Sequence, residues 1–171
     1  MMSASLLLAL ALAVPQQPSG DATTASVRTV YDLVKGYVLK AAEQVPEEHY
    51  AFKPTPDVRS MGELFAHIAD ANFMICSAAS GETPAMGDIE KTKKAKAELR
   101  DALDASFKFC DAAFDGLTPA RANETVKFFL RGTHTRLGVL AFNSVHDFEH
   151  YGNVVTYMRL KGMVPPSSAP R

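Results

Sequence analysis

His146 and His150 lie four residues apart in a segment of helical periodicity, so both imidazoles project from one helix face about a turn apart. That spacing lets two neutral nitrogens meet one metal ion, although on its own it suits a surface pair or a satisfied interior pair equally well. His67 falls on the edge of the apolar face of a separate helical segment, one turn after Glu63. Alone it reads as a core histidine bonded to a carbonyl. Taken with the pair it becomes a third ligand, because bundle interiors are where such sites are built from facing helices. Three imidazoles and an open fourth position make a catalytic rather than a closed structural arrangement, in which the ion activates a water or a thiol. Imidazole ligands leave the divalent ion open between zinc, nickel and iron. His49, beside Tyr50, and His134, before the last helix, have no partner four residues away and read as local or surface residues. Asn143, Glu149 and Asn153 share the histidine stripe. They either orient the imidazoles and meet substrate, or hydrogen-bond across the bundle.

Other chemistries lack their residues. There is no E-x-x-H pair for a di-iron carboxylate bundle, no H-E-x-x-H and no G-x-S-x-G. Two cysteines exclude a disulfide scaffold and any C-x-x-C zinc or haem site. Eighteen Lys and Arg against nineteen Asp and Glu leave a charge of −1 over 171 residues, which argues against nucleic acid as a partner. A small-molecule substrate is expected instead. A homodimer is left open. A chain of this length buries enough surface for one core without staples.

Four amphipathic segments position these residues. The first runs from about Thr24 to Gln44, with Val27, Val30, Tyr31, Val34, Tyr37, Val38, Ala41 and Val45 facing inward; Pro46 ends it. Pro54 and Pro56 keep the next stretch out of helix as far as about Arg59. Ser60-Met61-Gly62-Glu63 fits a capping box and opens the second helix, which Gly81 and Pro84 close. A third is expected from about Ile89 to Asp115, its lysine run a solvated face. Gly116 to Gly132 is a connection in which Thr125 to Leu130 passes along the bundle in extended form. Thr133 or Thr135 then caps a fourth helix reaching about Lys161, before Gly162 and Pro165-Pro166. No strand alternation is convincing, so the expected class is all-α, a four-helix bundle over residues 21–171.

Residues 1–20 read separately. They carry no ionisable side chain, and Leu6 to Val14 is an unbroken apolar run, short of the roughly 20 residues a spanning helix needs. With Ala11-Leu12-Ala13 as a small-x-small site, this is a signal peptide and loose mature N-terminus. The alternative is an apolar helix docked on the body. Export to a bacterial periplasm or beyond, with no stable membrane insertion after processing, is the expectation.

The stretches Met61-Gly62-Glu63-Leu64-Phe65-Ala66-His67 and Asn143-Ser144-Val145-His146-Asp147-Phe148-Glu149-His150-Tyr151-Gly152-Asn153, followed by Met158 to Pro166, resemble the DinB-like (damage-inducible, YfiT-like) metalloenzymes. The resemblance implies an up-down-down-up bundle with His67, His146 and His150 as metal ligands. It also implies an activity among thiol-dependent S-transferases and isomerases or metal-dependent hydrolases. The alternative is a metal-binding or stress-response module without turnover. Family members are mostly cytoplasmic, so export weakens the thiol reading. Cys76 and Cys110 sit among apolar neighbours and are expected as free thiols. A disulfide is feasible only if the second and third helices run parallel, as the resemblance implies; an antiparallel hairpin would hold the two on the order of 20 Å apart.

Overall fold

A computed structural model describes residues 20–170, so the expected signal peptide lies almost wholly outside the described residues. Four long helices carry the fold: α1 (Gly20–Gln44), α2 (Met61–Ser80), α4 (Lys96–Asp115) and α6 (Arg136–Leu160). Two single-turn helices, α3 (Ile89–Thr92) and α5 (Pro119–Ala122), and a two-residue ladder of β1 (Thr125–Val126) with β2 (His134–Thr135) fill the connections. None of the described helices is long and apolar enough to cross a membrane.

Side-chain contacts give the helix directions. Asn72 meets Ser106 and Cys76 meets Cys110, a constant offset that makes α2 and α4 parallel. Arg28 pairs with Asp115 while Lys96 reaches the carbonyl of Val45, so α1 runs against α4. Asn72 meets Asn143 and the Ala79 carbonyl accepts from Arg136, so α2 runs against α6. The bundle is therefore up-down-down-up, with α2 packed on both α4 and α6.

The ends follow from local chemistry. Ser60 Oγ accepts from the Glu63 N–H at 3.3 Å and Glu63 Oε2 accepts from the Ser60 N–H at 2.8 Å, closing the expected capping box. Gly81 ends α2 at φ +84, where a side chain would be strained. Gly62 is needed for a different reason. A Cβ there would meet the Tyr50 ring and carbonyl at 3.2 Å and Leu99 at 3.3 Å, so glycine permits the close approach of α2 to these neighbours. Thr135, not Thr133, caps α6 through the Gly138 N–H.

Three expectations are corrected. The third helix is not continuous from Ile89. Lys93 is extended (φ −117, ψ 138), and α4 starts only after Ala95. The Asp70 carboxylate on α2 accepts from the backbone N–H groups of Ile89 and Glu90 at 2.8 and 2.9 Å, and Ile89 is fully buried. The tertiary capping holds α3 as a separate turn. Val30, expected inside, is about half exposed at 48%, because Tyr31 and Val34 take the buried stripe of α1. The extended passage from Thr125 to Leu130 shrinks to the pair Thr125–Val126.

Cys76 and Cys110 are not free thiols. They form a disulfide between α2 and α4, with Cα atoms 5.3 Å apart and both side chains fully buried. Parallel packing at the Asn72–Ser106 register places them opposite each other. Since the bridge closes a loop spanning 34 residues, replacing both cysteines by Ala should lower stability by about 3–4 kcal/mol in urea unfolding. Alkylation of both residues in unreduced, denatured protein would refute the bridge.

Candidate metal centre

The antiparallel contact of α2 with α6 carries the histidines. Each of His67, His146 and His150 offers a ring nitrogen, and these lie within 4.8 Å of one another. Ring centroids are 4.4 Å apart for His146 and His150, 4.6 Å for His67 and His150, and 5.2 Å for His67 and His146. Three histidines this close could hold a metal ion.

The donor set fits that use. The Nε2 atoms of His146 and His150 are 3.1 Å apart, near the roughly 3.3 Å edge of a tetrahedron with metal–nitrogen bonds of about 2.0–2.1 Å. As a hydrogen-bonded pair the two rings are poorly satisfied. One proton serves both facing Nε2 atoms, so the accepting ring carries its own proton on Nδ1, and each Nδ1 is buried without a partner. Burial, then the nearby His150, His67 and Arg59, push His146 down to about 4. Burial first and His67 second also lower His150, against the opposing charges of Glu149 and Glu90. Both rings are thus neutral near pH 7 and keep a lone pair for a ligand role.

His67 is oriented from outside the bundle. Its Nδ1 lies 3.3 Å from Glu90 Oε2, and a carboxylate only accepts, so Nδ1 carries a proton and donates it to Glu90. Glu90 is itself held at its other oxygen by Arg59 Nε at 2.8 Å and at its backbone by Asp70. Burial pushes the Glu90 carboxyl up, but the hydrogen bond and charge of Arg59, aided by His67, outweigh it and leave the group below its ordinary value. Arg59 is fixed in turn by the Tyr157 hydroxyl, which donates to its carbonyl at 3.0 Å.

Beside the histidines opens a cleft of about 560 Å³ lined by Asp57, Val58, Arg59, Glu63, Leu64, Glu90, His150, Asn153 and Tyr157. Of the polar residues expected on the stripe, Asn153 reaches this cleft, Glu149 is exposed, and Asn143 bonds across the bundle to Asn72 at 2.8 Å. His134 hydrogen-bonds locally with the Arg131 carbonyl, and His49 ends a single 3-10 turn, Glu47–His49; neither joins the cluster. Sequence reading missed Glu90, Arg59 and Asp70. Only Asp70, three residues after His67, carried a positional hint.

Beneath the site lies a fully buried polar layer of Asn72, Ser106, Asn143 and Asp147. Asn143 Nδ2 donates to Asp147 Oδ2, and the Asn72 amide hydrogen-bonds both Asn143 and Ser106. Burial holds the Asp147 carboxyl well above the usual range. The Asn72 amide, turned so that its nitrogen faces the acid, donates to Asp147 at 3.2 Å, and its oxygen accepts from Ser106 Oγ at 3.1 Å.

A helix bundle in which three histidines of α2 and α6 converge beside a cleft that His150 lines defines the class. The family profile of the DinB superfamily matches residues 31–154, and the chain belongs to that superfamily. A DinB-like protein from Bacillus cereus has a similar fold at 17% identity and TM-score 0.73, covering 83% of this chain and 95% of that one. A DinB-like protein from Bacillus subtilis gives 18% and 0.67, over 85% and 99%. A mycothiol-dependent maleylpyruvate isomerase gives 16% and 0.63, over 81% of this chain and 63% of that one. No curated protein matches the sequence.

Holding His146 neutral ties the stability of the fold to pH. Between about pH 6.5 and 4 the unfolded chain takes up a proton that folded His146 refuses, so the metal-free protein loses stability as pH falls through that window. His150 acts in the same direction, whereas Asp147, with its raised value, favours the fold as pH falls. The His146→Gln variant should therefore lose less stability than wild type between pH 7 and 4.5 in chelator-treated urea unfolding. Equal losses would show that His146 is not held neutral.

Proposed function

We propose that this chain is a metal-dependent enzyme in which His67, His146 and His150 hold one divalent ion at the mouth of the cleft. The convergence of their nitrogens within 4.8 Å carries the reading. Bound there, the ion would supply a Lewis-acid position at which a water or a thiol is activated near neutral pH. The chain does the rest. Glu90 fixes the His67 ring, burial keeps His146 and His150 neutral, and Asn153 and Tyr157 line the wall past which a small substrate enters. The fold shared with a thiol-dependent isomerase supports a thiol; the buried Cys76–Cys110 bridge supports an oxidising compartment and, with it, water. The competing reading is a binding or stress-response module that carries the ion without turnover.

Metal analysis of protein from its native compartment should find one zinc, nickel or iron per chain. His67→Ala, His146→Ala and His150→Ala should each abolish stoichiometric binding, while His49→Ala and His134→Ala keep it. Glu90→Gln should weaken affinity by about ten- to a hundredfold. The fold should survive metal removal, because the apolar core does not depend on the ion. A panel of thiol-transfer and hydrolytic substrates then decides turnover; metal-loaded protein inert to all of them favours the module. Export is proposed as well, with cleavage near Val14. An intact Met1 or Met2 in the native protein would sink that.

A further inference from the structure

We propose that Arg59 is an oxyanion anchor, and that the cleft takes a small organic acid whose carboxylate or phosphate docks on this side chain. Arg59 is held at two points that leave its recognition edge free. Its carbonyl accepts from Tyr157, and its Nε donates to Glu90. Neither Nη has a hydrogen-bond partner among the described residues, and the side chain is 41% exposed where it lines the cleft with His150. The two Nη groups form the end-on fork of a guanidinium, which matches the two oxygens of an oxyanion.

The cleft's acidic residues do not compete for that edge. Glu63 accepts from the Ser60 N–H, and Glu90 is divided between Arg59 Nε and His67 Nδ1. Asp57 is exposed at the rim. Val58 and Tyr157 supply an apolar wall. An acid with a short apolar body would lie along it, its far end toward His150. Glu90 bridges Arg59 to His67, so the anchor stands one carboxylate from the triad. The inference rests on the metal reading only for what happens at that far end; the anchor itself needs no ion.

The test is titration of the full mature protein, as isolated and after chelation, with butyrate, inorganic phosphate and butylamine. It is followed by calorimetry and by the Arg59 Nε–H resonance. Butyrate or phosphate should bind and shift that resonance, and Arg59→Gln should weaken binding about tenfold or more. Arg59→Lys, which keeps the charge without the fork, should fall between. Which anion binds assigns the class, carboxylate or phosphate. Equal binding to wild type and Arg59→Gln, no binding of either anion, or a preference for butylamine each overturns the proposal. Anion binding that disappears on chelation yet ignores Arg59→Gln places the anion on the metal, which defeats the anchor and leaves the metal reading standing. Binding that survives in chelated protein supports the anchor even if no ion is ever found.

Discussion

The buried amides between α2 and α6 set the register on which everything else depends. Asn72 and Asn143 are fully excluded from solvent and satisfy each other. Leaving either unpaired costs about 1–3 kcal/mol, a sharper restraint than apolar packing, which tolerates rearrangement. A slip of one helical turn moves α6 by about 5.4 Å along α2. That would part Asn143 from Asn72, and it would carry His146 and His150 past His67. The pairing that closes the interior and the pairing that gathers the histidines are one constraint, because both sets of residues ride on the same two helices.

The layer continues into α4. Asn72 hydrogen-bonds Ser106, and one turn further along both helices Cys76 is joined to Cys110. The helix bearing His67 is thus fixed on two sides, by covalent and polar contacts to α4 and by polar contacts to α6. On the far side, Asp111 of α4 accepts from Arg28, Tyr31 and Lys35 of α1. The three histidines consequently sit on a rigid frame. The groups that tune them, Arg59 and Glu90, sit on connections tied back to it through Tyr157 and Asp70.

What could be read from the sequence followed from local periodicity. The capping box at Ser60, the glycine stop at Gly81 and the four-residue step from His146 to His150 all depend on neighbours within one or two turns. Residues that the structure brings in from a distance left no such trace. Glu90 belongs to a lysine-rich segment that reads as a solvated face, and it meets His67 only because Asp70 captures the start of α3. The disulfide shows the same limit. Spacing alone cannot say whether two helices are parallel, and on that direction the meeting of Cys76 and Cys110 turns. Asn143 had two readings on its stripe, and the partner that decides between them lies 71 residues away.

The charge of the ligand set bears on the kind of chemistry available. Three imidazoles, two of them held neutral by burial, bring no negative charge to an ion, which would keep its full double charge. A carboxylate ligand would cancel part of it. Here the carboxylate that meets the triad, Glu90, is bonded to His67 Nδ1 and is itself paired with Arg59. An ion bound there would keep its charge, and beside it the free edge of Arg59 would favour an oxyanion docked on that edge, while Asp57 and Glu63 leave the rest of the cleft wall acidic.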